Sequence, residues 1–213
     1  MSTTTCDTRS RLLDTAERLF AERGIDATSL RHITAEANAN LASVNYHFGS
    51  KEELIRELFA RRIDPINRER LDQLAACQAR GDTSLECILR AFLGPALRLR
   101  LDADHGGEHF TCLLGRLYSE PTELKMVVID EFKEVLARFN SALQHALPDL
   151  THEHLTWRFF FTISSMAHLM SAGDLLNTLT QGRCDSSDVE GALQRLIDFS
   201  AAGFRATSHR DTP

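Results

Sequence analysis

The sequence has no long hydrophobic run and little glycine or proline. Its uninterrupted apolar stretches, such as residues 126–129, are only four residues long, far short of the roughly 18 that a membrane-spanning helix needs. Glycine (11) and proline (5) are too rare for a collagen-like or linker-like chain. The N-terminal residues lack the apolar segment of a secretory signal, so we expect a cytoplasmic protein that makes no use of a membrane.

Cysteine is also scarce, and its spacing is irregular. The five cysteines are odd in number, widely separated and never arranged as CxxC. This pattern predicts neither a disulfide framework nor a structural zinc finger, and reduced thiols fit it better. The positions are Cys6, Cys77, Cys87, Cys112 and Cys184.

The net charge of −6 is unevenly distributed. Lysine and arginine balance aspartate and glutamate over residues 1–70, so the whole excess of negative charge lies in residues 71–213. The net charge argues against an indiscriminate nucleic-acid binder. It still allows the first part of the chain to bind DNA through a few placed cations, with weak non-specific affinity and a modest salt dependence.

Helical periodicity runs through nearly the whole sequence. In the first helix the apolar residues recur at i, i+4, i+7 and i+8 until Gly24, which suits a helix end. No strand-like alternation persists over five residues. The pattern therefore predicts an all-α chain of about nine helices, one of them running unbroken from Pro121 past residue 140.

Two short predicted helices near the N-terminus have the spacing of a helix-turn-helix. Asn38 tolerates the left-handed turn between them, and Asn40 is a favoured N-cap for the second, over residues 41–48. Val44 and Phe48 of that helix, spaced i, i+4, can face inward, which leaves polar side chains outward. An ordinary helical hairpin with a solvated face explains the same spacing, so at this point both interpretations stay open.

Longer motifs in residues 10–58 resemble the N-terminal domain of the TetR family of bacterial transcriptional regulators. They are A-x-x-L-F-x-x-x-G from Ala16 to Gly24, T-S-L-x-x-I from Thr28, and Y-H-F followed by S-K-E-E-L from Tyr46 to Leu54. The usual A-G-V-S before the recognition helix is replaced by residues 37–40, A-N-A-N. Asn45 stands where an aromatic residue is frequent, so the operator sequence cannot be inferred from relatives.

The resemblance implies a helix-turn-helix DNA-binding domain over residues 1–50 and a helical ligand-binding and dimerisation domain over residues 51–213. It implies a homodimer built by the last two long helices, a palindromic double-stranded DNA operator and release by a small-molecule effector. The usual mode of the family is repression. The phrases NLASVNYHFGSK, FLGP and LLGRLYSEP are similar to regulators that respond to fatty acids or acyl-CoA.

The residues expected to contact DNA fall into two groups. Side chains near the start of the recognition helix are candidates for base edges: Asn40, Leu41, Ala42, Ser43 and Asn45. Side chains around it are candidates for phosphate contacts: Thr28, Ser29, Arg31, Tyr46, His47 and Lys51. Thr28 and Ser29 are alternatives for the hydroxyl at the N-terminus of the second helix, and Arg31 is either a phosphate contact or a solvated charge. His47 has a second interpretation, as a packed structural residue.

The candidate effector-binding residues are mostly apolar, with two arginines among them: Leu97, Leu113, Arg116, Leu117, Trp157, Arg158 and Phe161. An arginine in an apolar stretch can anchor a carboxylate or phosphate. For Arg98, Arg116 and Arg158 a snorkelling side chain or an intersubunit salt bridge is the alternative.

A metal site and a catalytic site are two other functions that the sequence could encode. Asp104, His105, His109 and Cys112 have ligand-like spacing, but Gly106 and Gly107 interrupt the helix face that the histidines would share, so we predict no metal site and no cofactor. No catalytic motif is present, so we predict that the chain is not an enzyme. A dimeric ligand-binding or protein-interaction module without sequence-specific DNA binding is the remaining alternative.

Overall fold

The computed structural model describes residues 3–99, 107–117 and 120–207. These residues form ten α-helices and one 3₁₀ helix and contain no strand, which confirms the all-α prediction. The helices are α1 (Thr3–Arg23), α2 (Leu30–Glu36), α3 (Leu41–His47), α4 (Lys51–Ala79), α5 (Leu85–Leu99), α6 (Gly107–Leu117), α7 (Thr122–Ile129), α8 (Lys133–Ala146), α9 (His152–Leu179) and α10 (Val189–Arg205). No helix within the described ranges is long and apolar enough to cross a membrane.

The helix predicted to run unbroken from Pro121 past residue 140 is two helices. The 3₁₀ turn Asp130–Phe132 separates α7 from α8, although the apolar period continues across it. Periodicity reports which face is buried, and it does not register a local tightening of the backbone. The break coincides with a boundary between two compact units of the chain.

The first unit comprises Met1–Pro65 and Ala103–Phe132, and the second comprises Ile66–Asp102 and Lys133–Pro213. Helix α4 contributes residues to both, and Pro65 lies where one gives way to the other. The compact units therefore divide the chain differently from the predicted functional domains, 1–50 and 51–213. That functional division stays a prediction.

In the first unit, α1 packs against α2, α3 and α6. Its apolar stripe, from Leu12 to Phe20, is buried, and the rings of Phe59 and Phe110 meet edge to face with centroids 5.7 Å apart. A charged residue is buried beside this stripe: Glu17 is only 3% exposed. The first unit thus combines an apolar core with one buried carboxylate.

Two arginines of α4 neutralise Glu17. Arg62 donates to both carboxylate oxygens, from Nε at 3.1 Å and from Nη2 at 2.8 Å, and Arg61 adds a third hydrogen bond at 2.8 Å. Arg61 also pairs with Asp14, one turn earlier on α1. A two-point arginine–carboxylate pair fixes orientation as well as distance, so this network holds α4 in register against α1.

In the second unit, α10 packs against α5 and α9, and α8 packs against α5 and α9. The ring of Phe92 lies at its centre, with centroids 5.0 Å from Phe139 and 4.9 Å from Phe159. Pro95 stands inside α5 and cannot donate a backbone hydrogen bond there.

A disulfide joins Cys77, near the end of α4, to Cys87, near the start of α5. The expectation that these two thiols are reduced is therefore wrong in this structure. Residues 80–84 turn the chain back, so α4 and α5 form a hairpin that brings the two Cα atoms within 6.4 Å. Spacing along the sequence did not reveal this proximity. Cys112 and Cys184 are free thiols.

The disulfide predicts a measurable loss of stability in Cys87→Ser. Closing a loop of this length in the unfolded chain contributes about 3 kcal/mol, and oxidised wild type should exceed the variant by that amount in urea denaturation. With reductant the two proteins should agree. Cys184→Ser, which removes an exposed free thiol, is the control. Equal stability of wild type with and without reductant would contradict the prediction.

The buried carboxylate predicts a second stability difference. Glu17→Gln leaves two guanidinium groups without their shared anion and should lower the free energy of unfolding by about 3 kcal/mol. The matched control is Glu22→Gln, which loses an exposed pair with Arg18 and should change less than about 1 kcal/mol. If urea denaturation gives the two variants the same midpoint, the network does not stabilise the fold as described.

Candidate nucleic-acid interface

Helices α2 and α3 form a helix-turn-helix whose ends are fixed by capping side chains. Ser29 precedes α2 and its hydroxyl accepts from the backbone N–H of His32 at 3.2 Å. Asn40 precedes α3 and its side-chain oxygen accepts from the backbone N–H of Ser43 at 2.8 Å. Between them Asn38 has φ +48°, the left-handed turn that the sequence predicted for it.

Helix α3 has one buried face and one open face. Val44 and Phe48 are buried, as their spacing predicted. Leu41, Ala42, Asn45 and Tyr46 are exposed, and Tyr46 has 79% of its surface open. A seven-residue helix with short polar and apolar side chains outward has the size and chemistry to enter a major groove.

Asn40 and Ser43 are joined by hydrogen bonds in the structure without DNA. The Asn40 Oδ1 accepts from the Ser43 hydroxyl at 2.9 Å as well as from its backbone N–H. Asn40 therefore acts first as a cap, and its amide nitrogen is the group that can donate to a base. This double use fixes the Asn40 side chain before any DNA arrives, which lowers the entropic cost of a contact.

The three aromatic side chains after Asn45 become progressively more buried along the chain. The rings of Tyr46 and His47 meet edge to face with centroids 5.0 Å apart, and His47 is half-buried between Tyr46 and Phe48. The Arg9 guanidinium lies over the buried Phe48 ring, 5.8 Å from its centroid. Packing thus positions the His47 ring. The edge-to-face contact with His47 in turn orients the Tyr46 ring and its hydroxyl.

Lys51, the first residue of α4, is held by the start of the α1–α2 connection. Its Nζ donates to the backbone carbonyl of Ile25 at 2.6 Å and lies 5.9 Å from the centroid of the Phe20 ring. An ammonium group has three donors, so this bond positions the cation and leaves donors for a phosphate.

Thr28 does not match its predicted role, and here the sequence interpretation is wrong. It is completely buried, and its hydroxyl donates to the carbonyl of Gly24 at 2.8 Å, with the carbonyl of Leu19 also close, at 3.4 Å. Thr28 therefore closes the end of α1 and cannot reach a phosphate. Ser29, the alternative that the sequence offered beside it, is the exposed cap of α2, and Arg31 is exposed on the same helix.

The predicted effector residues are divided between the two units. In the first, Leu113 is buried in α6 and Leu117 is half-buried, while the side chain of Arg116 lies outside the described residues. In the second, Leu97 lines a cavity of about 10 Å³, about the space that one water molecule needs. The other residues around it are Leu169, Ser186, Val189 and Ala192.

The remaining predicted effector residues lie on α9. Trp157 and Phe161 are both exposed, with ring centroids 5.6 Å apart. Arg158 donates to the carbonyls of Phe204 at 2.6 Å and Ala206 at 2.8 Å, so it caps the end of α10. Arg98 pairs with Glu69. The assignment of these residues to an effector stays a prediction.

The weak metal pattern is only partly within the described residues. Asp104 and His105 lie outside them, and the Cys112 thiol donates to the carbonyl of Ala21 at 3.7 Å. Among the side chains that the structure describes, no three histidine, cysteine or carboxylate groups come together as a metal site.

Two family models match the chain. The model of bacterial regulatory proteins of the tetR family matches residues 12–58, and the tetracyclin repressor-like C-terminal domain matches residues 90–203. The first match covers the helix-turn-helix, and the second alone covers more than half of the chain.

Curated relatives are repressors that match part of their length. The HTH-type transcriptional repressor KstR2 of Rhodococcus jostii is 34% identical over 131 residues, 57% of this chain and 63% of that protein. The nicotine-responsive repressor HdnoR of Paenarthrobacter nicotinovorans is 37% identical over 68 residues, which cover 32% of this chain and 35% of that protein. The chain thus spans less than two thirds of the length of either relative.

Solved structures share the fold along nearly the whole chain. The fatty acid degradation regulator FadR from Bacillus halodurans has a TM-score of 0.67 at 14% identity, covering 94% of this chain and 97% of that one. FadR from Bacillus subtilis, solved with stearoyl-CoA, has a TM-score of 0.67 at 12% identity, covering 91% and 98%. With a fold, a helix-turn-helix and two family models in agreement, the chain belongs to the TetR family of bacterial regulatory proteins.

Proposed function

We propose that the chain is a dimeric transcriptional repressor that leaves a palindromic operator when a small hydrophobic effector binds. The observation that carries this proposal is the open face of α3, presented by two capped helices and a left-handed turn at Asn38. Such a regulator acts beside the chromosome in the bacterial cytoplasm, and it is not an enzyme.

The proposed DNA contacts follow from which groups are exposed on the DNA-binding head, the predicted helix-turn-helix domain of residues 1–50. Leu41 and Ala42 offer apolar surface to a thymine methyl, and the amides of Asn40 and Asn45 suit adenine. Ser29, Arg31, Tyr46, His47 and Lys51 surround them and are proposed to hold phosphates. Because residues 1–70 carry no net charge, affinity must come from these placed contacts and not from a general attraction to DNA.

The proposed dimer rests on an exposed apolar surface of α9 and α10. Both helices have large hydrophobic side chains that are exposed to solvent: Trp157, Phe160, Phe161, Leu175, Leu176, Leu179 and Phe199. Leu176 and Phe199 also line a groove of about 460 Å³ on this surface. A patch of this kind marks an interface, and a second copy of the chain, related by a two-fold axis, is the occupant that a palindromic operator requires.

The proposed effector is a fatty acid or its CoA thioester. The support is the likeness in fold to a FadR structure that contains stearoyl-CoA, together with the sequence phrases noted above. An effector releases DNA only if it binds one spacing of the two DNA-binding heads better than the other. Helix α4, which contributes to both units, is the element through which that preference would act.

Because the DNA-binding head carries no net positive charge, one alternative function remains. It is a dimeric ligand-binding or protein-interaction module without sequence-specific DNA binding. Selection of duplexes from a random pool, at a stated near-physiological salt concentration, distinguishes the two functions. Recovery of one palindrome with half-site centres about 34–36 Å apart is expected for the repressor. No enrichment by folded, dimeric protein that is free of co-purified small molecules would favour the module.

Tyr46→Ala and Lys51→Ala should each weaken operator binding at least tenfold, about 1.4 kcal/mol, because each removes a proposed phosphate contact. Lys51→Ala should also reduce the slope of log affinity against log salt by about one. Fluorescence anisotropy with the selected duplex measures both. Arg138→Ala removes an exposed cation from α8 and is the control. Unchanged affinity in both variants, with unchanged thermal unfolding, would show that the head is wrongly assigned.

Phe199→Asp should convert the dimer to a monomer, because it places a charge at the centre of the proposed apolar interface. Light scattering after size-exclusion chromatography measures the mass directly. Met126→Asp places the same charge at another exposed apolar residue, on α7, and should leave the dimer intact. A Phe199→Asp protein that keeps the wild-type mass would place the interface elsewhere.

A further inference from the structure

Arg70, on α4 within the second unit, is a buried arginine. Only 2% of it is exposed, and it heads the fully buried side chains in size. Its guanidinium carbon lies 4.2 Å from the centroid of the Phe92 ring. Burial lowers the pKa of the Arg70 guanidinium to about 9, so the group still carries its charge at neutral pH.

Arg70 has few hydrogen-bond acceptors for a buried cation, and none of them is charged. Nε donates to the carbonyl of Phe92 at 2.8 Å, and Nη1 donates to the side-chain oxygen of Asn67 at 3.1 Å. Nη2 faces the Met166 sulfur at 3.7 Å, and a thioether is a weak acceptor. A guanidinium carries five N–H donors, so two neutral oxygens and one sulfur satisfy only part of its capacity.

Three partly exposed arginines of the same unit have carboxylate partners, whereas Arg70 pairs with no carboxylate among the described residues. Arg90 pairs with Glu190, Arg98 with Glu69, and Arg205 with Glu86, all of them at partly exposed positions. Arg70 differs from other arginines without a carboxylate partner, such as Arg158, in being almost completely buried, where a counter-ion matters most. An unpaired buried charge is strongly unfavourable, which indicates that an anion from outside the chain completes the site.

The surroundings of Arg70 indicate what the rest of that anion resembles. Phe92 packs against Phe139 and Phe159, and Met166 closes the side next to Nη2. A ligand that reaches the guanidinium must therefore bury an apolar body beside aromatic rings and a flexible thioether side chain. The combination suits a single acidic group on a hydrocarbon.

A purely structural role explains less of this geometry. The bond from Nε to the Phe92 carbonyl braces α5 three residues before Pro95, where the helix lacks a donor. One neutral donor would serve that purpose. It gives no reason for a full charge at a site that offers it two neutral oxygens.

We propose that Arg70 binds the carboxylate of the effector, and that the effector is a free apolar carboxylic acid. This inference rests on the proposed function, which supplies an effector for the C-terminal region. It also chooses between the two effector classes named above. The acyl end of a CoA thioester is neutral and offers Arg70 no charge, and the CoA phosphates are too many and too strongly hydrated to be buried at one enclosed guanidinium.

Isothermal titration calorimetry on the full-length protein without DNA tests the proposal. The probes are decanoate and oleate, below their micelle concentrations, each with the matched neutral alcohol, decanol or oleyl alcohol. Wild type should bind each acid at least tenfold more tightly than its alcohol. Arg70→Met, which keeps the volume and removes the charge, should lose at least tenfold for the acids and keep its affinity for the alcohols.

Arg90→Met is the matched control, because it removes a partly exposed arginine of α5 that already has Glu190 as partner. It should bind acids and alcohols as wild type does. A structural role for Arg70 would weaken acid and alcohol alike, so the selective loss of the acid is what identifies a carboxylate anchor.

Three results would overturn the proposal: no binding of either acid to wild type, equal binding of acid and alcohol, or acid binding by Arg70→Met that matches wild type. The comparison of acid with alcohol needs only wild type, so it decides the matter even if Arg70→Met fails to fold. Because no DNA is present, a failure of operator binding leaves this result untouched. An effector that releases the operator independently of Arg70 would uphold the repressor and refute the anchor.

Discussion

The position of the DNA-binding head depends on one buried carboxylate. Glu17 of α1 is held by Arg62 at two points and by Arg61 at a third, and this fixes α4 against the helix on which α2 and α3 pack. Apolar packing alone is tolerant of small sliding and rotation, whereas a two-point ion pair is not. The head therefore presents α3 as part of one rigid unit that includes the first half of α4.

Helix α4 also carries Arg70, eight residues after Arg62 and on the other side of Pro65. Pro65 has no N–H to donate to the carbonyl of Arg61, so the helix is weakened at that turn. One helix thus bears the ion network of the first unit, a point of reduced stiffness and the buried arginine of the second unit. An effector that bound Arg70 would act on the same helix that holds the head. If it bound one conformation of α4 more tightly than the other, it would shift the population of the two conformations without any new contact to the head.

Local features were predictable from the sequence, and contacts between distant segments were not. The caps Ser29 and Asn40 and the turn at Asn38 depend on a few neighbouring residues, so their chemistry can be read directly. Thr28 was offered as an alternative to Ser29 because adjacent hydroxyls suit the same position, and only packing shows which one is buried. Periodicity also overlooked the 3₁₀ turn at Asp130–Phe132, since apolar residues recur at helical spacing on both sides of it.

The contacts that the sequence missed join residues far apart in the chain. Glu17 stands four residues after Leu13 and so borders the buried stripe of α1, a signal that could have marked it. Its partners, 44 and 45 residues later, carry no such mark. Cys77 and Cys87 meet because a helical hairpin folds back, and Arg70 stands in a mostly polar sequence that gives no sign of its burial. Burial decides the role of each of these residues, and burial is set by tertiary structure.

The chemistry of α3 gives the proposed dimer a physical reason. One head presents a helix of seven residues with few groups that distinguish bases, on a domain without net positive charge. A single head would therefore bind one half-site weakly. When two heads are joined through α9 and α10, the second half-site is bound at a high effective concentration, and affinity rises without new contacts. In the proposed dimer, a change in the spacing of the heads would be enough to release the operator, because it would remove this advantage and leave every individual contact intact.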